Sequence, residues 1–410
     1  MPPGLPGTPG RMRMSVLDVG SKTVRLMVAD TGSGVPLPVH TAKWKLRLSE
    51  QLEPGGAIPE PSVQQLVRAV ESAAETAQRW GAAGPMAFAT AVVRAAPNRL
   101  DVLRTVRTET GVRLCTLRGE VEAGLTFLGA RRWMGCRAGS LALFDIGGGS
   151  LAVAFGRGRL PDFAASLPLG ASRLTREFLA GQDPPSEEDL RALRRTVRHQ
   201  LRDVAARLRW EGPRMAVATS RTFQQLARLC GAAPGRQGVF VARQLARRDL
   251  RACLPRLAAL PAAERARLPG VSEPRALQSL AGAVVGHTAM KLTGIKTLTI
   301  CPWAIREGVL LRCVEDGGSW WAEIARESDE AAPMGPVPFQ PHPLGGVMVD
   351  KGRTDKIKGK AKEMTGKATG DREQEMEGKL EQARGEAKKI KSKVQEHAER
   401  TARSAKRDRG

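Results

Sequence analysis

The sequence predicts an α/β protein of two related lobes facing one cleft, followed by a helical or disordered tail. Three observations predict it. Residues 15–30, SVLDVGSKTVRLMVAD, and 141–158, LALFDIGGGSLAVAFGRG, share one plan: an apolar run ending in Asp, a glycine-bearing turn, then a second apolar run. That plan is a hairpin. The two acids, Asp18 and Asp145, stand 127 residues apart, so each half of the chain carries one copy. Helix-like and strand-like spacings then alternate in both halves, as in layered α/β folds.

The hairpins also carry a chemical expectation. Glycines let backbone N–H groups approach an anion without an intervening Cβ. A carboxylate closing the preceding strand can hold a cation beside that anion. Gly20, Ser21, Gly147, Gly148, Gly149 and Ser150 are therefore candidate phosphate-binding residues, and Asp18 and Asp145 candidate metal ligands. A lone GGGS also serves linkers and plain turns. The acid two residues before the first glycine, the flanking strands and the second copy distinguish this one.

The 410 residues are 41% hydrophobic, enough for two cores and an appendage. No run of 18 apolar residues occurs, so no membrane span is expected. Residues 1–13 read as a disordered leader rather than a secretory signal, with Met12 or Met14 as alternative starts. Six cysteines form no CxxC pair, and they do not cluster with the five histidines. Reduced thiols in a cytoplasmic protein are expected, and a zinc site is not.

The net charge is +23. Residues 350–410 hold 19 basic and 12 acidic residues, so most of the excess lies in the remainder. A cationic globular part favours a polyanionic partner: nucleic acid, polyphosphate, a nucleotide or an anionic surface. Without tyrosine and with nine phenylalanines, the composition gives little support to a base-stacking platform, so any nucleic-acid contact is expected to be non-specific. An arginine-rich composition bias is the competing source of the charge.

Along the chain, Val63, Leu66, Val67, Val70 and Ala74 give residues 61–80 a helical face. Residues 85–95 read as a short strand turning into a polar-tipped element, 100–110 as a helix, 112–117 as a strand and 119–128 as a helix with acids near its start. In the second half, 185–208 is a long amphipathic helix, 215–219 a strand ending in Thr219-Ser220, 222–229 a helix, 298–301 a strand and 303–313 a last helix. The expected divisions are 14–135, 136–314, a Pro/Gly-rich linker over 315–349, and a basic tail over 350–410. Met376, Leu380, Ala383, Ala387, Ile390 and Val394 form a thin helical stripe in that tail, interrupted by glycines.

Seven blocks stand in one order: LDVGSKTVRLMVAD at 17–30, AFATAVVRAAPN at 87–98, LRGEVEAGLTFLGA at 117–130, LFDIGGGS at 143–150, SLPLGASRLTREFL at 166–179, ATSRTFQQLARL at 218–229 and CPWAIREGVLL at 301–311. On these residues the chain resembles the exopolyphosphatase / guanosine pentaphosphate phosphohydrolase (Ppx/GppA) family of the actin-like ATPase superfamily, in its short two-domain form. Residues 350–401 resemble the small CsbD-like stress-protein family. The first resemblance implies two ribonuclease-H-like lobes around a central cleft. It also implies Mg²⁺-dependent hydrolysis of the terminal phosphoanhydride of polyphosphate or pppGpp, with a link to the stringent response.

Carried onto this chain, the resemblance makes Glu122 the general base, with Glu120 as its alternative. Arg94, Thr219 and Ser220 join the phosphate-binding set. Competing structural roles are a surface or lobe-bridging arginine at Arg94, first-turn helix acids at Glu120 and Glu122, and a helix cap at Ser220. The chain departs from the family pattern in four places. Ala152 stands where a Glu usually follows GGGS and a small residue, Lys22 stands where Asn is usual, Val121-Glu122 stands where an acidic pair is usual, and Leu277 replaces a polar residue. Lys22 is expected to supply positive charge where metal is weakly held. These departures leave two alternatives: a weakened paralogue that senses polyphosphate or guanosine penta/tetraphosphate, and a stress-associated interaction protein acting through its tail. A homodimer is compatible with either.

Overall fold

The computed structural model describes residues 13–135 and 138–330. The chain divides into two compact units, 1–340 and 341–410, and all described residues lie in the first. The expectations for the leader, for Cys136 and for the basic tail lie outside the described residues.

Two sheets carry the fold. The first contains β1 (Arg13–Val19), β2 (Thr23–Asp30), β3 (Leu37–Lys45), β4 (Met86–Ala89) and β5 (Leu114–Thr116), in the order β3-β2-β1-β4-β5. The second contains β6 (Leu141–Ile146), β7 (Leu151–Gly156), β8 (Phe163–Leu167), β9 (Met215–Ala218), β10 (Gln244–Ala246) and β11 (Thr297–Ile300), in the order β10-β11-β9-β6-β7-β8. Each begins as a three-stranded antiparallel meander and continues with parallel strands beside the first. The two sheets match strand for strand, with β10 added at one edge. The repeat visible in two hairpins thus extends to the whole lobe.

Strand alternation sets which way the acids face. Leu17 and Val19 of β1 enter a core with Leu66 and Val70 of α1 (Glu60–Arg79) and Val102 and Val106 of α3 (Arg99–Thr110). Val16 faces the other way, packing with Val309 and Leu310 of α11 (Ile305–Asp316), and Asp18 shares its side of β1. In β6, Ala142, Phe144 and Ile146 enter a core with α6 (Glu187–Glu211) and α10 (Glu273–Thr293). Leu141 and Leu143 face Phe127 and Ala130 of α4 (Gly119–Met134), and Asp145 lies on their side.

Helices α4 and α11 pack against each other between the sheets, α4 against β7 and β8 and α11 against β1. A Cβ at Gly308 would overlap the Leu125 carbonyl, and one at Gly129 the Ala304 carbonyl, so glycine permits this close crossing. Both acid-bearing strands therefore present their acids to one shared helical layer.

Three expectations change. The last helix does not close the second lobe: α11 returns to the first sheet, and α12 (Ser319–Glu330) follows it there against β5. The linker expected from residue 315 is helix over its first part, because Trp320 and Ala325 are buried. Gly317, with φ 76°, ends α11 as a helix stop rather than opening a linker. Helix α10 carried no sequence signal, since Ala276 to Met290 is buried around most of its circumference and lacks a polar face. The remaining helices are α2 (Ala91–Arg94), α5 (Ala171–Phe178), α7 (Ser220–Leu229), α8 (Arg247–Ala259) and α9 (Ala262–Arg265). No helix among the described residues is long and apolar enough to cross a membrane.

Candidate active site

Three carboxylates share the layer between the sheets. Glu122 lies in the first turn of α4 and is 8% exposed. Arg94, at the end of α2, donates through Nη1 to Glu122 Oε1 at 2.6 Å and to the Leu117 carbonyl at 2.6 Å. Burial pushes the Glu122 carboxyl up to about 7; Arg94 opposes this, and Asp18 and Asp145 reinforce it. Burial pushes Asp145 up to about 6, Thr219 opposes through its hydroxyl, and Asp18 adds to the rise. Asp18 is raised by burial against the pull of Arg306 and Arg25. Glu122 thus feels both aspartates, and Asp145 feels Asp18.

Thr219 closes β9 and is fully buried. Its hydroxyl donates to Asp145 Oδ2, so Thr219 orients the acid rather than offering that hydroxyl to a phosphate. Ser220 opens α7 with φ 71°, a left-handed conformation uncommon for serine. Its Oγ accepts from the Phe223 N–H at 3.3 Å, the capping role foreseen as its structural alternative. Glu120 is only half-buried and has no part in the interactions that raise Glu122.

The glycine loops do more than turn. Among the described residues, neither Gly20 nor Gly147, Gly148 or Gly149 has a positive φ. A Cβ on Gly148 would collide with Ser21 Oγ, and one on Gly149 would come within 2.8 Å of Ala91 Cβ. The loop glycines thus let the two lobes touch. The Gly147 N–H closes its own turn on the Ser150 carbonyl at 2.8 Å. The Gly147 and Gly148 carbonyls accept from Ala171 N at 3.0 Å and Arg173 N at 2.9 Å, which ties the loop to the start of α5.

Sequence reasoning missed four arginines here. Arg25 lies directly across β2 from Asp18 in the strand register. Arg221 follows Ser220 in α7, Arg275 sits in the first turn of α10, and Arg306 in the first turn of α11. Burial lowers Arg25, with Arg306 and Arg221 adding and Asp18 opposing. Arg275 is lowered to about 10 by burial, with Arg25 and Arg221 adding and Asp145 opposing. Arg25 and Arg275, desolvated and close to Arg221, with Arg306 close to Arg25, fit a multiply charged anion. The N-terminal turns of α7, α10 and α11 bring their positive dipole ends to the same place. A signal existed: three of the four stand within three residues of a helix start, and Arg221 immediately follows Thr219-Ser220.

Lys22 requires a correction. Its ammonium binds Glu50 and donates to the Pro274 carbonyl at 2.6 Å. It bridges the first hairpin to the start of α10 and is not aimed at the acids. Ala152 lies directly across β7 from Asp145 and is 8% exposed. Asp18 and Asp145 suit a hard divalent cation that completes its shell with water and phosphate oxygens. Among the described residues no cluster of three or more His, Cys, Asp or Glu is arranged for a metal, so a cation here would have two carboxylate ligands.

Comparisons with known proteins bear on the family and the fold. The model of the Ppx/GppA phosphatase family matches residues 27–316, and the CsbD-like model matches residues 350–400. An uncharacterized protein of Streptomyces coelicolor is 73% identical over 330 residues, covering 80% of this chain and 98% of its own. Exopolyphosphatase 1 of Mycobacterium tuberculosis is 45% identical over 319 residues, covering 77% of this chain and 92% of its own. The crystal structure of an exopolyphosphatase from Cytophaga hutchinsonii superposes with a TM-score of 0.68 at 21% identity, covering 74% of this chain and 98% of that one. The Aquifex aeolicus Ppx/GppA family member does so with a TM-score of 0.63 at 24% identity and the same coverage. At these identities the structural likeness bears on the fold, while the family-model match and the mycobacterial relative bear on descent. The chain belongs to the Ppx/GppA phosphatase family.

Proposed function

We propose that this chain is an exopolyphosphatase that releases the terminal phosphate of inorganic polyphosphate with Mg²⁺ and with Glu122 as general base. One observation carries the reading: a buried carboxylate raised to about 7 stands with two further acids, and two desolvated arginines, Arg25 and Arg275, lie close to those acids. Hydrolysis of a phosphoanhydride needs the phosphoryl charge neutralised, a water positioned and a proton accepted. Arg25, Arg221, Arg275 and Arg306 neutralise and orient the chain of phosphates. Glu122 accepts the proton, and a pKa near the working pH suits a base. Arg94 holds Glu122 in orientation through its 2.6 Å contact. Asp18 and Asp145 would hold Mg²⁺, which would supply charge neutralisation for the phosphates. Loop N–H groups near Gly148 and Ser150 cradle phosphate oxygens. The same terminal chemistry extends to pppGpp.

Phosphate release from long-chain polyphosphate and from pppGpp, measured across Mg²⁺ concentration, tests the proposal. Mg²⁺-dependent release from polyphosphate is expected, and its absence with the protein folded overturns the reading. Ala152 favours one second reading. A buried methyl directly opposite Asp145 offers no carboxylate to the cation. Tight binding of polyphosphate or of guanosine penta/tetraphosphate without turnover would favour the sensor reading for the ligand bound.

A further inference from the structure

Away from the site, two thiols face each other. Cys230 ends α7 and Cys253 lies within α8; both are half-buried, and their sulfurs are 3.8 Å apart. The other described cysteines, Cys115, Cys301 and Cys313, are buried. We propose that Cys230 and Cys253 form a reversible intramolecular disulfide, closed by hydroperoxide oxidants and reopened by thiols.

A disulfide brings its sulfurs to about 2.05 Å, so closure needs a side-chain rotation and a small shift of helix against helix. Helices α7 and α8 already pack together, and 23 residues separate the two cysteines. The chemistry balances with one peroxide. The first thiolate attacks a peroxide oxygen; the O–O bond breaks, one water leaves and a sulfenic acid remains. The second sulfur attacks the sulfenic sulfur, the S–S bond forms and a second water leaves. Two thiols lose two electrons and two protons, and the peroxide is reduced to two waters.

Burial and the neighbouring Cys253 push the Cys230 thiol up, so closure quickens as pH rises. The covalent loop encloses the surface segment bearing Val239 and Phe240, the latter 88% exposed. It also anchors the far end of α7, whose near end carries Arg221. Thiol pairs in reducing compartments that do oxidise are commonly redox-sensing.

The test uses the full chain, one equivalent of hydrogen peroxide, thiol blocking before denaturation, and tryptic digestion without reduction. The expected product is residues 229–236 joined to residues 252–256, lost on treatment with dithiothreitol and absent from Cys253→Ser. Closure is expected to be at least several-fold faster in the native protein than in urea. Recovery of both cysteines singly blocked or overoxidised, pairing with another cysteine, or equal rates in urea would each overturn the proposal. A thermal melt of Cys253→Ser matching the wild type shows that loss of the product is not loss of fold.

Discussion

Arg25 and Ala152 occupy the same position in the two lobes. Each lies directly across its hairpin from that lobe's acid, Arg25 opposite Asp18 and Ala152 opposite Asp145. One lobe places a cation beside its acid, and the other a methyl group. The two lobes are thus electrostatically unequal at matching positions.

Restoring a carboxylate at that position tests this. Cross-strand pairs bring Cβ atoms to about 5 Å, so a Glu at 152 reaches the space beside Asp145. Ala152→Glu is expected to lower the Mg²⁺ concentration for half-maximal polyphosphate hydrolysis several-fold, or to raise kcat. Lys22→Asn is not expected to add to this gain, because Lys22 is held by Glu50 and Pro274. Phosphate release across Mg²⁺ for both single variants and the double variant checks it.

Glu122→Gln removes a proton acceptor with little change in volume. It is expected to lower kcat by about 10²- to 10⁴-fold with KM nearly unchanged. Glu120→Gln is expected to change kcat less than about threefold. In the wild type, a base with a pKa of about 7 makes activity rise as pH rises through that value. Arg94→Met removes the cation that opposes this rise, so its pH–kcat limb should move to higher pH.

Lys22 ties the first hairpin to the second lobe, with its side chain only 10% exposed. Truncating it to Ala leaves the Pro274 carbonyl and Glu50 without this donor. A hydrogen bond from a charged group is worth about 1.5–3 kcal/mol, so urea unfolding of Lys22→Ala should show a loss in that range. Activity per folded molecule should fall less than in Glu122→Gln.

Gly148→Ala pushes a methyl into Ser21. Overpacking of this kind costs about 1–3 kcal/mol, and here it also drives the two phosphate loops apart. Weakened polyphosphate binding is expected, read as a raised KM. Ser21→Gly in the same chain should recover much of it, which a simple loss of loop stability would not do.

The two hairpins were legible because glycines and an acid between apolar runs have few other uses. The amphipathic helices α1, α3 and α6 announced themselves by a one-sided apolar stripe. Helix α10 did not, because burial on nearly all sides erases the periodicity. Asp18 and Asp145 could be named from local pattern, and Glu122 from the family resemblance. Arg25, Arg221, Arg275 and Arg306 could not, since they meet only after four separate elements converge. Lys22 was misread because its loop position suggested the metal, while its partner Pro274 is 252 residues away.

The return of α11 and α12 to the first sheet has a consequence for synthesis of the chain. Val16, Met27 and Phe88 are translated early, yet they are covered by Val309, Leu310 and Trp320. The first lobe therefore keeps an open apolar face while the entire second lobe emerges from the ribosome. The native cover of that face is complete only once α11 and α12 have been made.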